Sequence, residues 1–147
     1  MVNVGGGNWD GLFRQHTHAF LERTGKQARL ETRVAEGTDE DYGDPVYETH
    51  HTETVAEVVF RGSPEFSREF RGLDADIAAV AYIKDDVTLP IETEGENGDD
   101  PDSNSGGEAT RLHISGGSPG TDSSYKIFES HDENNGKIRL HCVSFDG

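Results

Sequence analysis

A single cysteine, Cys142, excludes an internal disulfide and a cysteine-rich zinc centre. Cations are scarce: nine Arg and four Lys face 29 Asp and Glu, for a formal net charge of -16. That balance argues against a nucleic-acid surface held by overall electrostatics and leaves room only for a local basic patch. No apolar run approaches the roughly 20 residues of a membrane helix. The start of the chain lacks the apolar core of a signal peptide. The expectation is a soluble protein without a membrane partner, acting inside the cell that makes it. Hydrophobic residues reach only 31%, which at this charge would ordinarily mean disorder. Here they recur in alternating runs, as in a folded domain with an acidic surface, and 147 residues suit one domain.

The clearest of those runs spans Ser124 to Phe145, two strand-like arms joined by a turn ending in Asn135-Gly136. Asn-Gly suits a type I′ turn, since both residues tolerate positive φ. The even-length loop predicts that Tyr125, Ile127, Ile138, Leu140 and Cys142 share one face, with Cys142 inward and His141 outward.

Upstream, residues 1–7 read as a flexible lead and 8–25 as a helix. Asn8 is placed to cap it, Gly25 to end it, and Trp9, Leu12, Phe13, His16, Phe20 and Leu21 recur at helical spacing. That stripe suits either core packing or docking of a partner. Residues 26–147 form the β domain. Gln27 to Val34 alternates as a strand. Glu36 to Pro45 is an acidic turn-rich loop, and Val46 to Phe60 is long enough for a bent or bulged barrel strand. Arg61 to Asp74 carries Gly62, Pro64 and Gly72 and reads as an extended excursion with at most one helical turn. Further strands are expected at Ala75 to Ile83, around Val87, Leu89 and Ile91, and at Thr110 to Ile114. Glu92 to Glu108 holds seven acids and no Lys or Arg, as in a solvated insertion. The fold expected is mainly all-β: a small antiparallel barrel of six or seven strands with an N-terminal helix.

Catalytic patterns are thin. His16 and His18 diverge on a helix, and His50 and His51 point to opposite faces of a strand, so neither pair binds a metal as a pair. Cys142 and His141 face opposite sides for the same reason, which leaves an inert buried thiol. Gly5 to Gly7 and Ser115 to Gly120 lack the Gly-Lys-Ser/Thr element of a phosphate loop. The sequence calls for no cofactor, no metal and no enzyme activity. Arg61, Arg68 and Arg71, interleaved with Phe66 and Phe70, form a local basic cluster suited to ion pairs with Glu65 and Glu69 or to a polyanion.

Two resemblances give these residues a context. The excess of Asp, Glu and Thr over Lys resembles proteins of salt-loving archaea, in whose molar salt the Debye length is roughly 3 Å. The order of motifs, an Arg-Leu-x-Thr-Arg strand, the turn Tyr42-Gly43-Asp44-Pro45-Val46-Tyr47-Glu48, Thr54 to Val58, the excursion, Ile77 to Ile83, and the arms at Tyr125 and Ile138, resembles the head-closure (stopper) family of tailed viruses. The resemblance covers about Gln27 to Val143. It implies a non-enzymatic virion connector that forms a homo-oligomeric ring at the head–tail junction. The ring would sit beneath a portal or adaptor protein and receive a tail terminator or tail tube protein. It also implies that the loop after the second barrel strand, here residues 61–74, faces packaged double-stranded DNA in the channel through Arg61, Arg68 and Arg71. Trp9, Phe13, Phe66 and Phe70 become candidate interface residues. A tail-completion protein and a haloarchaeal ligand- or oligonucleotide-binding barrel are the alternatives.

Overall fold

The computed structural model describes residues 6–38, 40, 43, 45–94, 108–116 and 122–144, with side chains in the first helix from residue 12 onward. Its elements are α1 (Gly6–Thr24), β1 (Lys26–Thr38), β2 (Pro45–Phe60), α2 (Pro64–Glu69), β3 (Ile77–Lys84), β4 (Arg111–Ile114), β5 (Ser123–Asp132) and β6 (Lys137–Ser144). The strands close into an antiparallel barrel in the order β1-β2-β3-β6-β5-β4. The expected fold class is the observed one, with six strands. The helix begins at Gly6 rather than Asn8, so Gly6 and Gly7 belong to it; the rest of the lead lies outside the described residues.

Period-two alternation fills the barrel from every wall. Leu30, Ala56, Ala81, Ile83, Leu112, Ile127, Leu140 and Cys142 meet in the interior, all with no measurable exposure. Each large aliphatic among them contributes about 1.5–3 kcal/mol by leaving water. A second cluster lies outside the wall. Val59, Val80, Ile77 and Val143 on the outer faces of β2, β3 and β6 pack under Phe66, Phe70 and Leu73.

One end of the barrel carries the projecting β1–β2 hairpin and the β5–β6 turn; the other carries the β2–β3 connection. Residues 87–91 are not a strand, contrary to their alternation. β3 and β4 lie on opposite sides of the barrel order, so the chain between them must cross the mouth rather than join the wall. Pro90 has no N–H for a ladder, and its carbonyl accepts from Thr32 Oγ1 at 2.9 Å. Val87 and Ile91 cover the interior from above. The ends of the expected acidic insertion are anchored: Thr93 is buried, Glu94 reaches Lys126, and Glu108 reaches Arg33 at 2.7 Å. Its middle, 95–107, lies outside the described residues.

No bulge falls in the second strand: β2 keeps its register against both neighbours, and the bulges fall in β1, β3 and β5. In the terminal hairpin the facing prediction holds, since Tyr125, Ile127, Ile138, Leu140 and Cys142 share the interior. The turn differs from type I′. Positive φ falls on Asn134 (61°) and Gly136 (99°), and Glu133 N–H donates to the Lys137 carbonyl. Gly136 is required twice over, because a Cβ there would also lie 3.0 Å from the Arg14 Cα of α1.

Candidate functional site

Residues 61–74 fold back rather than extend. Ser63 caps α2, accepting from Phe66 N–H at 3.2 Å, and Pro64 follows in the first turn, where its missing N–H costs nothing. The six-residue helix drives Phe66 into the outer cluster, where it is 2% exposed, with Phe70 half-buried and its ring centroid 5.7 Å away. Phe66 is therefore core, not interface as the sequence suggested, and Phe70 offers only part of its ring. Arg61 is committed internally. It donates from Nε to the Ile77 carbonyl at 2.5 Å and from a terminal nitrogen to Asp74 O at 2.7 Å, and it sits over the Phe66 ring at 4.5 Å. Neither Glu65 nor Glu69 is its partner in these contacts. Arg68 and Arg71 are exposed. Of the three arginines, these two are placed to meet an external anion.

The helix α1 runs along the outside of β2, β3 and β6. Among its described side chains only Leu21 is buried deeply, at 2%. Polar contacts hold the remainder: Asp85 receives Arg14 at 3.1 Å and His18 at 2.8 Å, and Lys84 meets Glu22 at 3.0 Å. Gly25 lets the chain turn tightly into β1, since a Cβ there would meet Leu21 O at 2.6 Å and the Ala56 backbone at 3.2 Å. Close approach, not positive φ, is what requires this glycine. The apolar stripe faces outward, with Leu12 44%, Phe13 56% and Phe20 48% exposed. Among the described side chains of the stripe, core packing is overturned at Leu12, Phe13, His16 and Phe20 and holds at Leu21. The side chain of Trp9 lies outside those described.

The remaining chemistry is on β5 and β6. Cys142 is sealed in the interior, and burial pushes its thiol up to about 12. His141 faces away from it, as expected, yet is only 5% exposed rather than solvated. Its Nδ1 lies 3.4 Å from Glu129 Oε2, and the same oxygen is 3.1 Å from His131 Nε2. The two imidazole centroids are 4.9 Å apart. Desolvation, then the neighbouring His131 and Arg139, lowers the His141 pKa below its ordinary 6.5, so the ring is neutral at pH 7. Sequence reading missed this group. Glu129-x-His131 on a strand, opposite a histidine on the paired strand, was the available signal; the bulge that aligns them was not visible.

The histidines weighed from sequence are dispersed as expected. His18 bonds Asp85, His16 is exposed, His50 bonds Glu36 at 2.5 Å, and His51 approaches Glu31 at 3.9 Å. Among the described residues no helix is long and apolar enough to cross a membrane. In comparison with known proteins, the chain matches no protein-family model and no curated protein.

Proposed function

We propose that this protein is a structural connector of a tailed virus of haloarchaea. Its copies assemble head to tail into a ring at the head–tail junction, close the DNA channel beneath a portal or adaptor, and dock a tail terminator or tail tube protein. The role is architectural, without a catalytic step or cofactor. The observation that carries this reading is the outward apolar stripe of α1, Leu12, Phe13 and Phe20, on a chain of net charge -16. The closed part of the barrel leaves no free strand edge, whereas β1 beyond Glu31 and β2 before Ala56 pair only with each other in the projecting hairpin; the contact proposed here uses the side chains of α1. In molar salt, ionic contacts between subunits are screened to roughly 3 Å, which favours apolar contacts. A heterologous contact of this kind closes into a ring when its rotation permits. Exposed Arg68 and Arg71 are the residues that would face DNA phosphate.

Negative-stain microscopy of the purified protein in molar potassium chloride, with and without a portal protein, tests the assembly. Rings are expected, and the double variant Phe13→Asp with Phe20→Asp should yield monomers. A wild-type protein that stays monomeric with portal present would remove the reading. Arg68→Ser with Arg71→Ser should give heads that lose DNA; Arg61 is left out because its replacement would damage the fold. Against a ligand-carrying barrel stands the interior itself, which Leu30, Ile83, Leu112, Ile127 and Leu140 fill.

A further inference from the structure

We propose that Glu129, His131 and His141 bind a divalent first-row transition metal ion, with zinc as the natural occupant, on the outer face of the β5–β6 hairpin. The register builds this group. An unbroken ladder from the Ile127–Cys142 pair would set Phe128 opposite His141 and turn Glu129 toward the interior. The bulge between Ile127 and Glu129 inserts Phe128 as the extra residue, so that Glu129 pairs directly with His141 and both point outward. His131, two residues along the same strand, joins the same face. Re-aiming side chains at a bulge is a recurrent way of making a site.

The distances suit a metal. Zinc–nitrogen bonds of about 2.0–2.1 Å at tetrahedral angles place ligand atoms about 3.3 Å apart. Here the carboxylate oxygen stands 3.1 Å from one imidazole nitrogen and 3.4 Å from the other, and all three ligand atoms lie within 4.8 Å of one another. A small rotation of the half-exposed His131 closes the remaining gap. His141 is more than nine-tenths buried, and the nitrogen it turns toward Glu129 is Nδ1; its Nε2, which has no hydrogen-bond partner among the described residues, is on the other side of the ring and would not meet the ion. Two imidazoles and a carboxylate select zinc, cobalt or nickel over magnesium and calcium, which take oxygen ligands. Arg139, which pairs with His131 in the ladder, is held by Glu133 at 3.2 Å. His141 also borders a hollow lined by Glu69, Phe70, Gly72, Leu73 and Arg139. Bound by the three side chains, the ion would tie β5 to β6 where the chain leaving α2 rests on them.

Full-length protein stripped with chelator is titrated with cobalt(II), read by the d–d absorption of tetrahedral cobalt, and with zinc chloride by calorimetry. One equivalent is expected. Loss of a supporting residue alone weakens metal sites about 10–100-fold, so Glu129→Gln and His131→Ala should each weaken binding at least that far. Both side chains are nearly half exposed, so these variants should fold, and unchanged circular dichroism verifies it. His50→Ala reports on the exposed Glu36, Glu48 and His50 group of the projecting hairpin and should leave binding unchanged. No stoichiometric binding, undiminished binding in Glu129→Gln and His131→Ala, or binding lost instead in His50→Ala would each overturn the proposal; a hydrogen-bonded triad alone gives the first result.

Discussion

Two helices lie against the same barrel and are held by opposite means. The short α2 is fixed by Phe66, driven into an apolar cluster on the wall, with Arg61 stacked on it and hydrogen-bonded to two carbonyls. The α1 helix has three times the length and, among its described side chains, one buried anchor, Leu21; Asp85, Lys84 and their partners add polar contacts. Length is therefore a poor guide to attachment. Apolar docking persists when salt rises, whereas exposed ion pairs weaken. In molar salt α2 should remain part of the barrel and α1 should be the element free to exchange its own wall for a neighbour's.

The sharpest way to break this contrast is to remove the two anchors. Phe66→Ala should cost about 3–5 kcal/mol, read as a lower denaturation midpoint of the whole domain. Leu21→Ala should cost about 2 kcal/mol and appear chiefly as faster hydrogen exchange and proteolysis within α1. Equal global losses from both would mean that the helices and barrel unfold as one unit, and the contrast would fail. Acid should act on the α2 side. His141 has a lowered pKa in the folded state, so the unfolded chain binds its proton more readily. Stability is then fully present above pH 6.5 and falls as pH drops through and below that value; His141→Asn should flatten this slope in pH-dependent melting curves. Asp85→Asn, which removes the partner of Arg14 and His18, should cost about 1 kcal/mol or less, and that loss should shrink as salt increases. The smallest effect belongs to Phe20→Gln, within about 0.5 kcal/mol for the monomer, even though the proposed ring would weaken.

Alternation made the barrel walls legible in the sequence, because a strand with one buried face needs it: Leu30, Val58, Ile83 and Leu140 sit where period two places them. The same rule misled at Val87, Leu89 and Ile91, where a chain crossing a barrel mouth also buries alternate residues without pairing. The stripe on α1 was legible as a stripe, but its direction depended on Asp85 and Lys84, 60 or more residues away in sequence. Arg61 read as a partner for Glu65, Glu69 or a polyanion because its actual partners are main-chain carbonyls, which no composition reveals. The Glu129, His131 and His141 group was hidden by one residue: parity of the loop predicts Phe128 opposite His141, and only the bulge replaces it with Glu129.

The crossing of the barrel mouth has a practical consequence. Thr110 N–H donates to the Glu92 carbonyl at 2.8 Å and Glu92 N–H to Thr110 Oγ1 at 2.8 Å, so the chain leaves and re-enters the body at one clasped point. Whatever length lies between can change without moving the clasp, since doubling a loop costs only about 0.6 kcal/mol in closure entropy. That makes this position a natural port for a guest: a fluorescent domain or affinity peptide inserted after residue 98 should leave the barrel's melting temperature almost unchanged. Such a label would put a visible mark on every copy of the subunit in an assembled particle.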